Sequence, residues 1–359
     1  MDQVGGVARI ETDKVNWLVE HGYDVTLCDI EDWNVQPYYP LNPRVHFVVG
    51  HLPTTPGGLL TRLRNVWHSV QKIRAIIDDV KPDVIINAHC PVVTWILPFV
   101  FRGIPKITEM HQSYQGLEVF NSWAMSKWMA VLHLRLVRLV YGLYNRFVTL
   151  TNADRVCWHL PNSVCIPNFS NVPITQHVAV KHKRIVMLAR LMPQKRIDLM
   201  IRVWALIAQR HPDWQVRVLG EGMERNSLQR QIDEAGLSNS FLLCGAVKNV
   251  STELEQADIL CLTSEYEGFG IVLIEAMRMG VPVLSMEYVG VHDIIEHNTD
   301  GVVVAFGNVE KYACELERLM LSEVERKRLA HNAYQSVRRF DKETVMQKWV
   351  ELFQAVSNC

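Results

Sequence analysis

Short apolar runs alternate with stretches of helical spacing along the second half of the chain. The helical stretches carry apolar side chains three and four positions apart, as between Leu199 and Ile207. Strands that alternate with helices in this way form a parallel, doubly wound sheet with helices on both faces. The predicted strands of this half are Ile185–Ala189, Val216–Leu219, Phe241–Cys244, Ile259–Leu262, Val281–Ser285 and Val302–Ala305.

The first half repeats this alternation less regularly. Its predicted strands are Val25–Cys28, Val45–Val49, Val84–Ala88, Ile104–Thr108 and Phe147–Leu150. Gly5 and Gly6 precede the first predicted helix, where the second half has a buried strand. Residues 1–4 are too few for such a strand, so we expect the first domain to lack its first strand, through a start at an internal methionine or a truncated gene. A natively rearranged sheet is the alternative.

These patterns predict an α/β protein of two similar halves, each a doubly wound parallel sheet. The chain becomes rich in proline and polar residues between 166 and 183, without helical or strand periodicity, which places the domain boundary there. We therefore expect a first domain over residues 1–168 and a second over residues 180–340. An amphipathic helix, Lys342–Val356, occupies the remaining segment, residues 341–359.

Composition excludes several classes of protein. Hydrophobic residues make up 48% of the chain, which is too many for a disordered protein, and 37 basic residues balance 38 acidic ones, which argues against a nucleic-acid partner. Eight cysteines form no C-x-x-C pair, as expected in a reducing cytosol. The longest uncharged run, residues 84–101, contains two prolines and is not a membrane span. We expect a cytoplasmic protein that at most lies on the inner face of the membrane.

The most informative motif follows the predicted strand Ile259–Leu262. Glycines at 268 and 270 let the backbone approach a ligand, and the amides that open the next helix favour an anion such as a diphosphate. Glu275, about one turn into that helix, suits a neutral diol such as a ribose. Glu267 is placed to accept hydrogen bonds from a second polyol.

Two cations at a neighbouring strand end complete a diphosphate site. Arg190 and Lys195 follow the strand Ile185–Ala189. A guanidinium binds phosphate oxygens in a bidentate manner and an ammonium adds a compact charge. Together they would stabilise the charge on a departing nucleoside diphosphate without a metal ion.

These motifs resemble those of glycosyltransferase family 4, which are retaining, nucleotide-sugar-dependent enzymes with two Rossmann-like domains facing a cleft, the GT-B fold. The resemblance implies that Arg190 and Lys195 hold the diphosphate and that Glu275 binds the ribose. It also implies that Glu267 and the backbone of Gly268, Phe269 and Gly270 bind the transferred sugar. Gly5 and Gly6 would approach the phosphates or the acceptor from the other domain. His111 stands where such enzymes often carry a histidine near the donor sugar. One departure is Ala8, where the family usually has glutamate.

The implied reaction moves a hexose or N-acetylhexosamine from a nucleoside-diphosphate sugar to a glycan or polyprenyl-diphosphate-linked acceptor. The implied setting is the assembly of a bacterial capsule, O-antigen or lipopolysaccharide. The resemblance also implies that the last helix crosses back onto the first domain. No cofactor and no metal are expected.

Acid-free, basic stretches in the first half suggest where an acceptor docks. The stretch 119–153 contains no acidic residue but carries Lys127, Arg135, Arg138 and Arg146 among aromatic residues on helical spacing. Such a helix suits an anionic membrane surface or a lipid diphosphate. The alternative is an ordinary amphipathic helix packed on the sheet.

Two other functions are left open by the sequence. Asp29 ends a strand about 20 residues after a glycine pair, as the ribose-binding acid of a nicotinamide-dependent oxidoreductase does. The second alternative is an inactive relic that binds a nucleotide sugar without turnover. Asp29, Glu31 and Asp32 imitate a metal-binding D-x-D motif, which we interpret as a solvated turn.

Overall fold

The computed structural model describes residues 6–29, 37, 39–50, 52, 58–88, 91–101, 103–174, 182–247 and 249–357. The strands of the first half are β1 (Thr26–Asp29), β2 (His46–Val49), β3 (Ile85–Ala88), β4 (Lys106–Glu109), β5 (Arg146–Thr149) and β6 (Ser163–Cys165). Its helices are α1 (Gly6–Glu20), α2 (Leu59–Val80), α3 (Pro91–Ile96), α4 (Tyr114–Ala124), α5 (Lys127–Gly142) and α6 (Asn152–Trp158).

The second half contains twelve further elements in the described part, followed by a last helix. Its strands are β7 (Arg184–Leu188), β8 (Gln215–Leu219), β9 (Phe241–Gly245), β10 (Ile259–Leu262), β11 (Val283–Met286) and β12 (Val302–Val304). Its helices are α7 (Ile197–Ile207), α8 (Arg225–Glu234), α9 (Val250–Glu255), α10 (Ile271–Arg278), α11 (Val309–Leu321) and α12 (Glu323–Ser336). The last helix is α13 (Lys342–Ser357).

The second half forms one parallel six-stranded sheet in the order β12-β11-β10-β7-β8-β9. The sequence of strand β7 is apolar after Arg184 because both faces of the strand are buried. Ile185 and Met187 are buried in the core on one face, and Val186 and Leu188 are buried in the core on the other. The prediction of a doubly wound sheet is therefore confirmed.

The first half divides its strands between two parallel sheets, β1-β2 and β3-β4-β5-β6. The described residues begin at Gly6, the first residue of α1, so the expected lack of a first strand stays a prediction. Gly5 lies outside the described residues, as do Glu31 and Asp32 of the acidic turn.

Two sequence predictions in the first half are wrong in detail. Strand β6 was not predicted, because its three half-buried residues make too short an apolar run. Of the basic stretch predicted as a helix, only residues 127–142 form α5: Trp123 ends α4, the backbone is extended at Met125 and Ser126, and Arg146 lies in β5. Among the described residues, no helix is long and apolar enough to cross a bilayer.

Helix α13 packs on the first half of the chain. Val345 and Trp349 share a buried core with Ile10 of α1 and Ile107 of β4. The indole of Trp17 donates a hydrogen bond to Glu343, with an N–O distance of 3.2 Å. The chain thus crosses between the two halves a second time, directly behind α1.

Candidate functional site: a cleft between two strand ends

The loops that follow β7 and β10 are tied together by hydrogen bonds. Thr263 donates its hydroxyl to the carbonyl of Lys195 over 2.9 Å, and the amide of Glu265 donates to the carbonyl of Gln194 over 2.9 Å. These strands are neighbours in the sheet, so both loops lie at the same carboxyl edge. This edge is the usual place for a ligand in an open parallel sheet.

This arrangement brings two predicted site residues into contact. The ammonium of Lys195 lies 2.6 Å from Oε1 of Glu267, and the hydroxyl of Ser264 donates to the same oxygen over 2.6 Å. The two side chains are 14% and 11% exposed, so their charges are largely shielded from water. Arg190 lies just beyond the end of β7 and is exposed.

The glycines of the second loop allow two close approaches. A Cβ atom on Gly268 would lie 1.8 Å from the carbonyl oxygen of His111, so only glycine fits where the two halves meet. Gly270 has a φ of +93° and caps α10. The Tyr288 hydroxyl donates to the carbonyl of Phe269 over 2.8 Å, and the Phe269 ring packs edge-on against Phe340 in the core. These two contacts attach the loop to the core of the second half.

Glu275 is buried in α10 and faces the first half. Its side chain is 6% exposed, and Nη1 of Arg9 in α1 lies 3.3 Å from its Oε1. Burial raises the pKa of Glu275 to about 7, against the opposing charge of Arg9. This carboxyl group therefore titrates near neutral pH.

Further contacts join the halves around this point. The amide of Ala153, in the first turn of α6, donates to Asp293 over 2.9 Å. The amide of Val289 donates to the side-chain oxygen of Gln115 over 3.4 Å. A Cβ atom on Gly6 would lie at an ordinary 3.6 Å from Ile271. The structure therefore has the two halves in direct contact along the edge that carries Lys195 and Glu267.

A buried group of charged residues on the first-half side was missed by sequence reasoning. It consists of Glu11 and Lys14 of α1, Glu109 of β4, and His111. Nε2 of His111 lies 3.2 Å from Glu11, which follows Ala8 by three residues on the same face of the helix. A glutamate–lysine pair three positions apart, next to a glycine pair, is the signal that was present in the sequence.

These residues also answer whether the described chain offers a metal site. Glu11, Glu109 and His111 bring three potential ligand atoms within 4.8 Å of one another. The ammonium of Lys14, however, lies 2.8 Å from Glu11 and contacts Glu109 as well. An internal cation thus already balances one of the two negative charges that a metal ion would use.

The chemistry available at the cleft is that of an anion site flanked by hydrogen-bond acceptors. Lys195 and Arg190 supply positive charge at one strand end, while Glu267 and Glu275 supply acceptors for hydroxyl groups. The opposite wall presents the main-chain carbonyl of His111. Such a set suits a ligand that combines a diphosphate with two polyols.

Comparisons with known proteins agree with this chemistry. The model described as "Glycosyltransferase Family 4" matches residues 4–158, and the model described as "Glycosyl transferases group 1" matches residues 174–336. The chain is 25% identical over 363 residues to the amylovoran biosynthesis glycosyltransferase AmsD of Erwinia amylovora, which covers 97% of this chain and 95% of that protein.

Two further relatives extend the comparison. An α-1,4-N-acetylgalactosaminyltransferase of Campylobacter jejuni, named for an undecaprenol-diphosphate-linked substrate, is 34% identical over 142 residues, or 39% of each chain. The crystal structure of Anabaena HepE in complex with UDP superposes with a TM-score of 0.76 at 18% identity, covering 99% of this chain and 98% of that one. The structural likeness establishes the shared fold.

Proposed function

We propose that this chain, which belongs to glycosyltransferase family 4 and has the GT-B fold, transfers a hexose or N-acetylhexosamine from a nucleoside-diphosphate sugar with retention of configuration. It is a glycosyltransferase of bacterial polysaccharide biosynthesis. The family membership replaces the oxidoreductase alternative, which gave Lys195 and Glu267 no role. The observation that carries the proposal is the ion pair between Lys195 and Glu267, whose Nζ and Oε1 atoms lie 2.6 Å apart where the two halves meet.

The pair supports a specific division of labour. When a donor binds, its diphosphate attracts the ammonium of Lys195 and the guanidinium of Arg190, and Glu267 turns to the sugar hydroxyls. The bond between the sugar C1 and the diphosphate oxygen then breaks, while the acceptor oxygen bonds to C1 from the same face. The acceptor proton passes to the departing diphosphate. The two cations stabilise the negative charge that develops, so this scheme needs no metal ion.

UDP sugars are the first donors to test. HepE was crystallised with UDP, and other structural neighbours of this chain, including TarM of Staphylococcus aureus, also contain it. For the acceptor, the relative from Campylobacter jejuni favours a polyprenyl-diphosphate-linked glycan. Such acceptors are anchored in a membrane, so the enzyme would meet them at the cytoplasmic face.

Helix α5 has a surface that fits this setting. Its exposed stripe contains Trp128, Leu132, Arg135 and Leu139 at helical intervals on one side of the helix, and it continues to Leu143, the residue that follows the helix. Trp128 is 69% exposed and Leu139 is 64% exposed. We propose that this stripe lies on an anionic lipid surface, with tryptophan and leucine in the acyl boundary and arginine at the headgroups.

A depression beside the stripe also suits a lipid ligand. It is largely open to solvent, has a volume of about 420 Å³, and is lined by Arg135, Arg138 and Leu139 of α5, by Leu143 just after this helix, and by Leu160. Cations next to apolar walls suit a lipid phosphate with its chain attached.

The prediction is that the protein sediments with vesicles containing phosphatidylglycerol and that R135E/R138E abolishes this sedimentation. The matched control R202E/R230E reverses two exposed charges of the second half; equal sedimentation of both variants would contradict the proposal.

Donor turnover tests the main proposal. The whole chain is incubated with UDP-glucose, UDP-N-acetylglucosamine, UDP-N-acetylgalactosamine or GDP-mannose and a polyprenyl-diphosphate-linked N-acetylhexosamine, and nucleoside diphosphate release is measured with EDTA present. Lys195→Ala is expected to lower turnover by a factor of about 100 or more, because a charge stabilising the transition state is lost. Lys327→Ala, on the exposed face of α12, is the control.

Three outcomes would count against parts of the proposal. Turnover that stops with EDTA and returns with Mn²⁺ would refute the metal-free scheme. Full activity in K195A would refute the assigned role of the ammonium. Calorimetric binding of a nucleotide sugar without any turnover would favour the alternative of an inactive binding protein.

A further inference from the structure

The buried group of Glu11, Lys14, Glu109 and His111, called here the α1–β4 cluster, adjoins the donor loop, but the proposed function gives its carboxylates and its ammonium no role. Each of its side chains is between 3% and 8% exposed. Four ionisable side chains removed from water are costly, and buried ion pairs rarely repay that cost in stability. The cluster therefore calls for an explanation other than folding.

Three elements fix its geometry. The ammonium of Lys14 lies 2.8 Å from Glu11 and contacts Glu109, and it also stands 4.5 Å from the ring centre of Trp349 in α13. Lys14 is thereby held on three sides. It in turn holds the Glu11 carboxylate at a fixed position next to His111.

The charges of the cluster favour an ionised Glu11. Burial opposes ionisation of Glu11, but Lys14 and the imidazole of His111 outweigh it and lower the pKa of Glu11 to about 2. Burial and the charge of Glu11 raise the pKa of Glu109, while its carboxylate keeps Lys14 charged. The Oε2 atom of Glu109 lies 3.6 Å from Nε2 of His111.

His111 also connects the cluster to the cleft. Its carbonyl oxygen stands against Gly268 of the donor loop. Its Nε2 lies 3.2 Å from Glu11 and 3.6 Å from Glu109, but both ring nitrogens are buried without a hydrogen bond of good geometry among the described residues. A buried ring with unsatisfied nitrogens beside the donor loop indicates a group whose hydrogen bonds are completed when a ligand binds.

We propose that Glu11 is a positioning residue for His111. Its carboxylate holds Nε2, so that Nδ1 is presented as a hydrogen-bonding group to the sugar of the bound donor, and Lys14 keeps that carboxylate in place. The inference rests on the proposed function, since it is a bound donor that completes the site. It assigns a role to a residue three positions after the alanine where the family usually has its glutamate.

A double-mutant cycle tests whether Glu11 acts through His111. Glu11→Gln keeps the shape of the side chain and leaves Lys14 paired with Glu109. We expect E11Q to lower kcat about tenfold, as loss of orientation does, with the donor KM changed by less than about twofold. In an H111Q background, E11Q is expected to change nothing further. Glu20→Gln, at the exposed end of α1, is the matched control.

The opposite results overturn the inference. An E11Q loss of the same factor with and without His111 would mean that Glu11 acts independently, and wild-type kcat in E11Q would mean that it does not act. If E11Q fails to fold, Glu11→Asp, which keeps the charge but withdraws it by one methylene, is put through the same cycle.

A second measurement does not depend on turnover. The NMR signals of the His111 ring, assigned by their disappearance in H111Q, report on the imidazole directly. E11Q is expected to change the chemical shifts of this ring in the absence of any donor, because the carboxylate 3.2 Å from Nε2 is lost. Unchanged ring signals would refute the positioning role. Failure of the proposed function shows separately, as a wild-type chain without turnover whose His111 signals still respond to E11Q.

Discussion

Glu275 makes donor binding depend on pH in a way that can be calculated. Its carboxyl group is buried, and its pKa of about 7 lies well above the ordinary value of 4.5. To accept hydrogen bonds from both hydroxyls of a ribose, the group must be ionised. Near neutral pH, part of the free protein is therefore in the wrong protonation state to bind the donor.

The size of the effect follows from the pKa. The apparent dissociation constant exceeds the intrinsic one by a factor of 1 + 10^(pKa − pH), which with a pKa of about 7 is roughly 11 at pH 6 and roughly 1.1 at pH 8. Wild-type affinity should therefore rise about tenfold between pH 6 and pH 8. Glu275→Gln cannot ionise, so its affinity should be nearly constant over this range.

Isothermal titration calorimetry with UDP-glucose and UDP-N-acetylglucosamine measures this ratio. The diphosphate of a nucleotide sugar is a diester without a pKa in this range, so the ligand itself adds no pH dependence. A wild-type dissociation constant that is equal at pH 6 and pH 8 would refute the assignment of Glu275 to the ribose. An equal pH ratio in E275Q would place the titrating group elsewhere.

Three further predictions concern stability and the contact between the halves. Burial of an ionised Glu275 lowers the free energy of unfolding by at most about 3 kcal/mol as the pH rises from 4.5 to 7. E275Q should therefore unfold at a higher urea concentration than wild type at pH 8, and at the same urea concentration at pH 4.5. Gly268→Ala should reduce turnover about 100-fold or more, because the added Cβ would overlap the His111 carbonyl. Gly6→Ala should keep the wild-type melting temperature, because the added Cβ would meet Ile271 at an ordinary 3.6 Å. Asp293→Ala removes an acceptor from the first turn of α6 and should cost about 1 kcal/mol in urea unfolding, with the exposed E296A as control.

The strands were predictable where they are buried on both faces. Strand β10 was predicted with its observed bounds, Ile259–Leu262, because every residue in it is buried and therefore apolar. Strand β6 and the interruption at Met125 escaped prediction for the opposite reason. A three-residue strand with a half-buried pattern carries almost no periodicity, and apolar spacing continues across the break between α4 and α5.

The candidate site was predictable only where strand order alone brings residues together. Lys195 and Glu267 follow two strands whose carboxyl ends must lie at one edge, so their meeting follows from the topology. The partners from α1 were not predictable in this way. Arg9 is separated from Glu275 by 266 residues, and Lys14 from Glu109 by 95. In the sequence, the charges of α1 look like those of any solvated helix face.

Helix α1 contacts both halves of the chain through two residues that are two positions apart. Arg9 reaches Glu275 in the second half, while Glu11 reaches His111 within the first half. If the two halves separated, the first pair would break and the second would stay intact. Glu275 would then be hydrated, and its pKa would fall towards the ordinary value of 4.5 because burial is what raises it. The proposed pH dependence of donor binding therefore requires contact between the halves, whereas the proposed positioning of His111 by Glu11 does not.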